Sequence, residues 1–179
     1  DRILKRMNRK DSRADIERLL TNVRAKANHV TLRTSIIVGF PGETDEEFKE
    51  LCDFVKTVRF DNMGVFTYSR EEGTPAGAME DQVPEEVKEE RYHTLMAIQA
   101  AISEENNRDL EGTHHQAIIE SMEENEDGTL LAKGRLEVQA PDVDGNMYIE
   151  NAEGLSEGDI VPVTVVQGFA YDVICEVEK

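Results

Sequence analysis

The residues best placed for chemistry lie where an apolar stretch runs into glycines. Ile36-Ile37-Val38 is continuously apolar and is followed by Gly39-Phe40-Pro41-Gly42-Glu43-Thr44. A buried strand that ends in glycines just ahead of a helix is where α/β folds place their ligand sites, at the carboxyl ends of strands. Gly39 and Gly42 would let a flat ligand come close to the backbone, and Phe40 can lie against an adenine ring. The turn lacks the Gly-Lys-Ser/Thr ending of a phosphate-cradling loop. A second polar turn, Tyr68-Ser69-Arg70-Glu71-Glu72-Gly73-Thr74-Pro75, follows the next apolar stretch and so falls on the same rim. Two such loops on one rim point to a ligand site better than either alone, although a solvated turn is a fair alternative for Glu71-Glu72.

Other reactive residue types offer less. Cys52 and Cys175 are the only cysteines, far apart and with no CxxC or CxxxCxxC run, so this chain cannot by itself supply the usual ligands of zinc or an iron–sulfur cluster. His114 and His115 are adjacent on an expected strand and point to opposite faces, which disfavours a shared metal. Asp142 and Asp144 resemble the start of a calcium loop, but Gly145 comes too early and no bidentate Glu follows. No metal ligand is assigned, and no proton donor or acceptor is identified.

The elements that must position the two loops are legible. Ser12 can cap a helix from Arg13 to about Ala27 with a stripe of Ile16, Leu19, Leu20 and Val23. Val30 to Val38 reads as a strand, and its apolar end suits a parallel strand covered on both faces. Thr44 and Glu47 form a capping box that opens a second helix, with Phe48, Leu51, Cys52, Val55 and Val58 as its buried face. Asn62 to Tyr68 is the next strand, completing a βαβ unit. Pro84 begins a long helix to about Leu110, stopped by Gly112, with Val87, Leu95, Ile98 and Ile102 as its docked side. Beyond it, five short strands (114 to 122, 129 to 138, 146 to 150, 160 to 167 and 170 to 177) are separated by Asp127-Gly128, Asp144-Gly145 and Glu157-Gly158. Five short strands with glycine turns imply a small closed barrel, since closure removes exposed edges.

Composition restricts the partners. Apolar residues at 39% and charged residues at 32% describe a chain able to bury a core. No apolar run approaches the roughly 20 residues of a membrane helix, and no secretory signal is visible, so the expected setting is cytoplasmic. Net charge is −18, unevenly spread: +6 over 1–33, −12 over 34–111 and −12 over 112–179. Such a surface repels phosphate and disfavours direct RNA binding, whereas a basic protein is attracted. Plain solubilising charge is the alternative reading.

Three stretches, Asp1 to Arg9 (DRILKRMNR), Val38 to Phe48 (VGFPGETDEEF) and Tyr68 to Gly77 (YSREEGTPAG), resemble the latter half of the radical S-adenosylmethionine barrel of methylthiotransferases. The region after Gly112 is similar to the small β domain, called TRAM, that ends those proteins. Glu71 to Thr74, Gln139 to Gly145 and Ala170 to Val173 resemble the branch that modifies small-subunit ribosomal protein S12 rather than the branch that modifies transfer RNA. Two positions depart from the family pattern: Leu136 follows Gly134-Arg135 where Thr is common, and Cys175 replaces a usual Gly.

The resemblance implies an α/β fold: residues 1–81 as the C-terminal βα part of a partial TIM-type barrel, 82–111 as a connecting helix and 112–179 as an OB-like, five-stranded TRAM barrel. It implies a parent enzyme that methylthiolates the β-carbon of an aspartate in ribosomal protein S12, using S-adenosylmethionine and two 4Fe–4S clusters. The cluster cysteines would lie upstream of this piece of a longer protein, which is expected to be inactive alone. Gly39, Phe40, Pro41, Gly42 and Glu43, with Tyr68, Ser69, Glu72, Gly73 and Thr74, would line the adenosyl site. The acidic barrel would dock the basic S12 protein or the small ribosomal subunit. The rivals are a transfer-RNA adenosine methylthiotransferase and a non-catalytic protein-binding adaptor.

Overall fold

A computed structural model describes residues 1–27, 30–125 and 128–178. They fall into two compact units, Asp1–Gln99 and Ala100–Lys179, with the division inside one long helix. The expected turn at Asp127-Gly128 involves Asp127, which lies outside the described residues.

In the first unit a short helix α1 (Arg2–Arg6) precedes α2 (Arg13–Lys26), strand β1 (Arg33–Val38), helix α3 (Asp45–Val58) and strand β2 (Asn62–Thr67). Both expected caps form. Ser12 accepts from the Asp15 amide while Asp15 accepts from the Ser12 amide, and Thr44 and Glu47 do the same at α3. Strands β1 and β2 pair in parallel, with Val38 opposite Thr67, so the chain leaves both at the same end.

Two expectations about burial need correcting. Burial alternates along β1, leaving Arg33, Ser35 and Ile37 exposed, and Phe66 of β2 is also exposed. Only one face of this pair is covered, the side carrying Val38, Met63 and Val65. In α2 no residue is buried, and Leu19 points to solvent while Ile16, Leu20 and Val23 are half-covered. The stripe has the right spacing but meets only a partial partner.

Helix α4 (Glu85–Asp109) starts after Pro84, as expected. Its buried side is rotated from the expected one. Lys88, Arg91, Leu95, Gln99, Ile102 and Ser103 are buried, whereas Val87 and Ile98 are half-exposed. Those spacings of three and four place a cationic pair, an amide and two aliphatic residues on one face.

The second unit is a closed barrel in the order β3-β4-β5-β7-β6, with β3 (His114–Glu124), β4 (Leu130–Leu136), β5 (Met147–Glu150), β6 (Ile160–Gly168) and β7 (Val173–Val177). All pairs are antiparallel except β5 with β7. Alternate side chains fill the interior, among them Ile119, Leu136, Met147, Val163 and Cys175. The two departures from the family pattern, Leu136 and Cys175, are thus packing residues. Burial pushes the Cys175 thiol up to about 12. Register shifts between Ile119 and Ser121 and between Val165 and Gln167 bend the strands enough to close so small a barrel.

Closure also depends on close backbone approach at Gly134, where a Cβ would overlap the carbonyl of Ile118 on the adjacent strand. Gly134→Ala is expected to destabilise the barrel by about 1–3 kcal/mol, read as a lowered melting temperature with loss of β-sheet signal. Ala132→Gly, on the same strand, should cost no more than about 1 kcal/mol.

Candidate functional site

The parallel pairing of β1 with β2 brings the two glycine-bearing loops together at their starts. The Tyr68 amide donates to the Val38 carbonyl at 2.9 Å, and the Phe40 and Tyr68 rings meet edge to face with centroids 5.2 Å apart. Phe40 and Pro41 are buried, so the ring of Phe40 is held by the protein's own packing. The Tyr68 hydroxyl is buried and has no hydrogen-bond partner among the described residues.

Gly39 and Gly42 both have positive φ, +72° and +79°, which L side chains rarely adopt. The space over Gly39 is filled by the Lys88 side chain, and that over Gly42 by Asp81 and Arg6. Their small size therefore serves close packing within the protein. By contrast, nothing stands within 4 Å of a Cβ added at Gly73.

Glu43 is the most constrained of the expected site residues. Its Oε1 accepts from the Gly39 amide at 2.9 Å and from Arg91 Nη1 at 2.8 Å, with both side chains buried. Arg91 Nη2 donates to Asp45 Oδ1 at 2.7 Å, and its guanidinium lies 5.4 Å from the centroid of Phe48. Burial raises the Glu43 carboxyl above its ordinary value, against the opposing pull of the Gly39 amide and Arg91. One turn earlier, Lys88 Nζ donates to the Tyr68 carbonyl at 2.9 Å and to Glu85 at 2.6 Å and lies 5.4 Å from the Tyr68 ring centroid. Lys88 thus grips the second loop while Arg91 grips the first.

The first loop is held from its other side as well. Arg2 donates to the Gly42 carbonyl and to Glu47 at 2.6 and 2.8 Å. The Gly42 amide donates to the Asp81 carbonyl at 2.7 Å, and Asp81 pairs with Arg6 at 2.7 Å. Sequence reasoning missed Arg2, Arg6, Lys88 and Arg91 in these roles. A signal existed for the last two: Lys88, Arg91, Leu95 and Ile102 recur at helical spacing, which places both cations on the apolar face.

The remaining expected residues lie farther along the second loop. Ser69 is exposed and donates to Glu71 Oε1 at 2.8 Å. Thr74 Oγ1 donates to the Glu71 carbonyl at 2.8 Å and accepts from the Gly77 amide at 3.0 Å. Glu72, Gly73 and Thr74, with Arg70, Pro75, Gly77 and Ala78, border an open depression of about 710 Å³. Gly39 to Glu43 do not border it.

The Tyr68 hydroxyl is a buried polar atom without a partner among the described residues, and the loop that Tyr68 opens borders the depression farther along. Cys52 and Cys175 lie one in each compact unit, and burial raises both thiols. Among the described residues no group of three His, Cys, Asp or Glu could hold a metal ion. His114 Nδ1 meets Glu178 at 2.6 Å and His115 Nδ1 meets Glu137 at 3.1 Å, each on its own face. Asp144 accepts from the Ala140 amide at 2.7 Å, as a polar turn requires.

Residues 1–55 match the Radical SAM superfamily and residues 111–177 match the TRAM domain. The chain is 49% identical over 177 residues to the ribosomal protein uS12 methylthiotransferase RimO of Geotalea uraniireducens, with 99% of this chain and 39% of the relative covered. The protein of the same name from Geobacter sulfurreducens is also 49% identical, with the same shares. That from Clostridium botulinum is 42% identical over 172 residues, covering 96% of this chain and 38% of the relative. The chain thus spans about 39% of the length of the curated relatives it matches.

Removing Arg91 would leave Glu43 buried without its counter-charge. Arg91→Met is expected to destabilise the first unit by roughly 3–5 kcal/mol and to raise the Glu43 carboxyl further. A folded-state value above the unfolded one means the folded chain binds the extra proton. Stability of the variant should therefore fall as pH rises from the ordinary carboxylate range through the raised Glu43 value. Denaturant melts across that range, with NMR titration of the Glu43 carboxyl, test this; a pH-independent loss would refute it.

Proposed function

We propose that this chain, which belongs to the radical S-adenosylmethionine methylthiotransferase family, forms part of an enzyme that methylthiolates ribosomal protein uS12. The modified position is the β-carbon of an aspartate, where a carbon–sulfur bond replaces a carbon–hydrogen bond. The observation that carries this reading is the 49% identity over 99% of the chain to proteins bearing that name. The charge of the barrel segment, −12 over 112–179, supports a basic protein over a nucleic acid.

In this reading, residues 1–81 complete a radical barrel, 82–111 connect, and 112–179 form the substrate-binding TRAM barrel. The two 4Fe–4S clusters are held by parts of the enzyme outside this chain, which is inactive alone. S-adenosylmethionine, when bound, supplies the one-electron chemistry that removes the hydrogen. This chain's own residues orient it. Gly39 to Glu43 and Tyr68 to Thr74 line the adenosyl moiety, with the Tyr68 hydroxyl as a polar contact and the Phe40–Tyr68 ring pair as an apolar wall. Lys88 and Arg91 fix the two loops from behind. No helix among the described residues is long and apolar enough to cross a membrane, and the cytoplasm, where ribosomes assemble, is the proposed setting.

The test uses the full-length protein with its clusters reconstituted. Incubation with S-adenosylmethionine, a sulfur source and uS12 should add a methylthio group to one aspartate, located by peptide mass spectrometry. Transfer RNA that is modified instead, with steeply salt-dependent binding, would replace this reading by the nucleic-acid one. Tyr68→Phe should weaken S-adenosylmethionine binding about two- to tenfold, the value of one hydrogen bond, while leaving the melting temperature unchanged. Unaltered affinity would remove Tyr68 from the site.

A further inference from the structure

One end of the barrel brings two loops together, and what they expose points to where a partner docks. Strands β4 and β6 end, and β5 and β7 begin, at the same end of the barrel, as their pairings require. The loops 137–146 and 169–172 therefore emerge side by side there. They are locked together: the Asn146 amide donates to Asp172 Oδ1 at 2.7 Å and the Val173 amide to the Asn146 carbonyl at 3.0 Å. A Cβ on Gly145 would overlap the Tyr171 carbonyl, so the contact is as close as backbone permits.

Loops so firmly braced would ordinarily turn apolar side chains inward. Instead Val143 is 66% exposed, Tyr171 52% and Phe169 43%. Exposed Asp142 stands beside Val143 at φ +61°, and neither loop contains a Lys or Arg. Rigid, exposed aromatic and branched side chains beside an unneutralised carboxylate form a surface with a definite complement. Long cationic side chains match it, because their methylene stems cover apolar area while the charged head meets an acid or an aromatic face.

We infer that this end of the barrel docks a lysine- or arginine-bearing segment of the basic protein substrate. Val143, Phe169 and Tyr171 take the aliphatic stems and Asp142 takes a charged head. The inference rests on the function proposed above and goes further by assigning the surface on which the partner sits. Phosphate is a poor occupant, since no cation is available in these loops to neutralise it.

The experiment measures binding of uS12 to the full-length, cluster-loaded protein by calorimetry. Asp142→Asn preserves a residue that tolerates positive φ, and Val143→Ser and Tyr171→Ser change side chains that are mostly in solvent. Each is expected to raise Kd several-fold, and Asp142→Asn combined with Tyr171→Ser about tenfold or more. Ile160→Ser, an equally exposed apolar residue at the barrel's opposite end, should leave Kd unchanged. Melting temperature and S-adenosylmethionine affinity should match the parent in every variant. Unchanged Kd in the loop variants, with uS12 still bound and modified by the parent, overturns the docking surface and leaves the proposed function standing. An equal loss with Ile160→Ser also overturns it. If the parent itself fails to bind uS12, the functional reading falls and the surface with it.

Discussion

Arg91 and Lys88, buried side by side on α4, are the interaction on which the first unit's loop rim depends. A buried cation is costly unless each of its donors finds an acceptor. Here Arg91 spends its donors on Glu43 and Asp45, and Lys88 on the Tyr68 carbonyl and Glu85. Because Glu43 belongs to the first loop and the Tyr68 carbonyl to the second, satisfying one helix face fixes both loops at once. The glycines follow from the same constraint, since the Lys88 stem occupies the space that a side chain at Gly39 would need.

A rim held this way is ordered before any ligand arrives. Preorganisation lowers the ordering cost of binding, and the groups left without protein partners then become the ones a ligand can use. Tyr68 illustrates this: its carbonyl is taken by Lys88, its ring packs on Phe40, and its hydroxyl alone is unsatisfied. The depression along the rest of that loop is braced by Thr74 and Arg70 through bonds to Glu71 and Gly77.

Much of this was legible in the sequence, and the exceptions share a cause. The capping boxes at Ser12 and Thr44, the βαβ order and the five-stranded barrel depend on local chemistry and periodicity, which a sequence displays directly. Aliphatic residues alone do not find the buried face of α4: they point to Val87 and Ile98, whereas Lys88 and Arg91 are buried. The reach of Lys88 into a loop 20 residues away, and of Arg91 into one 48 residues away, depends on tertiary placement that no local pattern encodes. The apolar end of β1 suggested cover on both faces, yet the alternation of exposure shows that continuous hydrophobicity does not specify how many faces are covered. Gly39 and Gly42 suggest close approach of a ligand, whereas side chains of the protein itself fill the space above them. Of the expected site, the structure brings together Gly39 to Glu43 and Tyr68, and spreads Ser69 to Thr74 along an adjoining open surface.

The two units use charge in opposite ways. In the first, Glu43 and Arg91 are buried and paired, so their charges organise the protein internally and present little field to solvent. In the second, Asp142 and most of its acidic neighbours remain in water, where self-repulsion is screened and the net field favours cationic partners. A closed barrel can carry such a surplus because its interior, from Ala117 to Cys175, is apolar. Interior packing and surface charge are thus separate in the barrel: the one holds the fold, the other faces water.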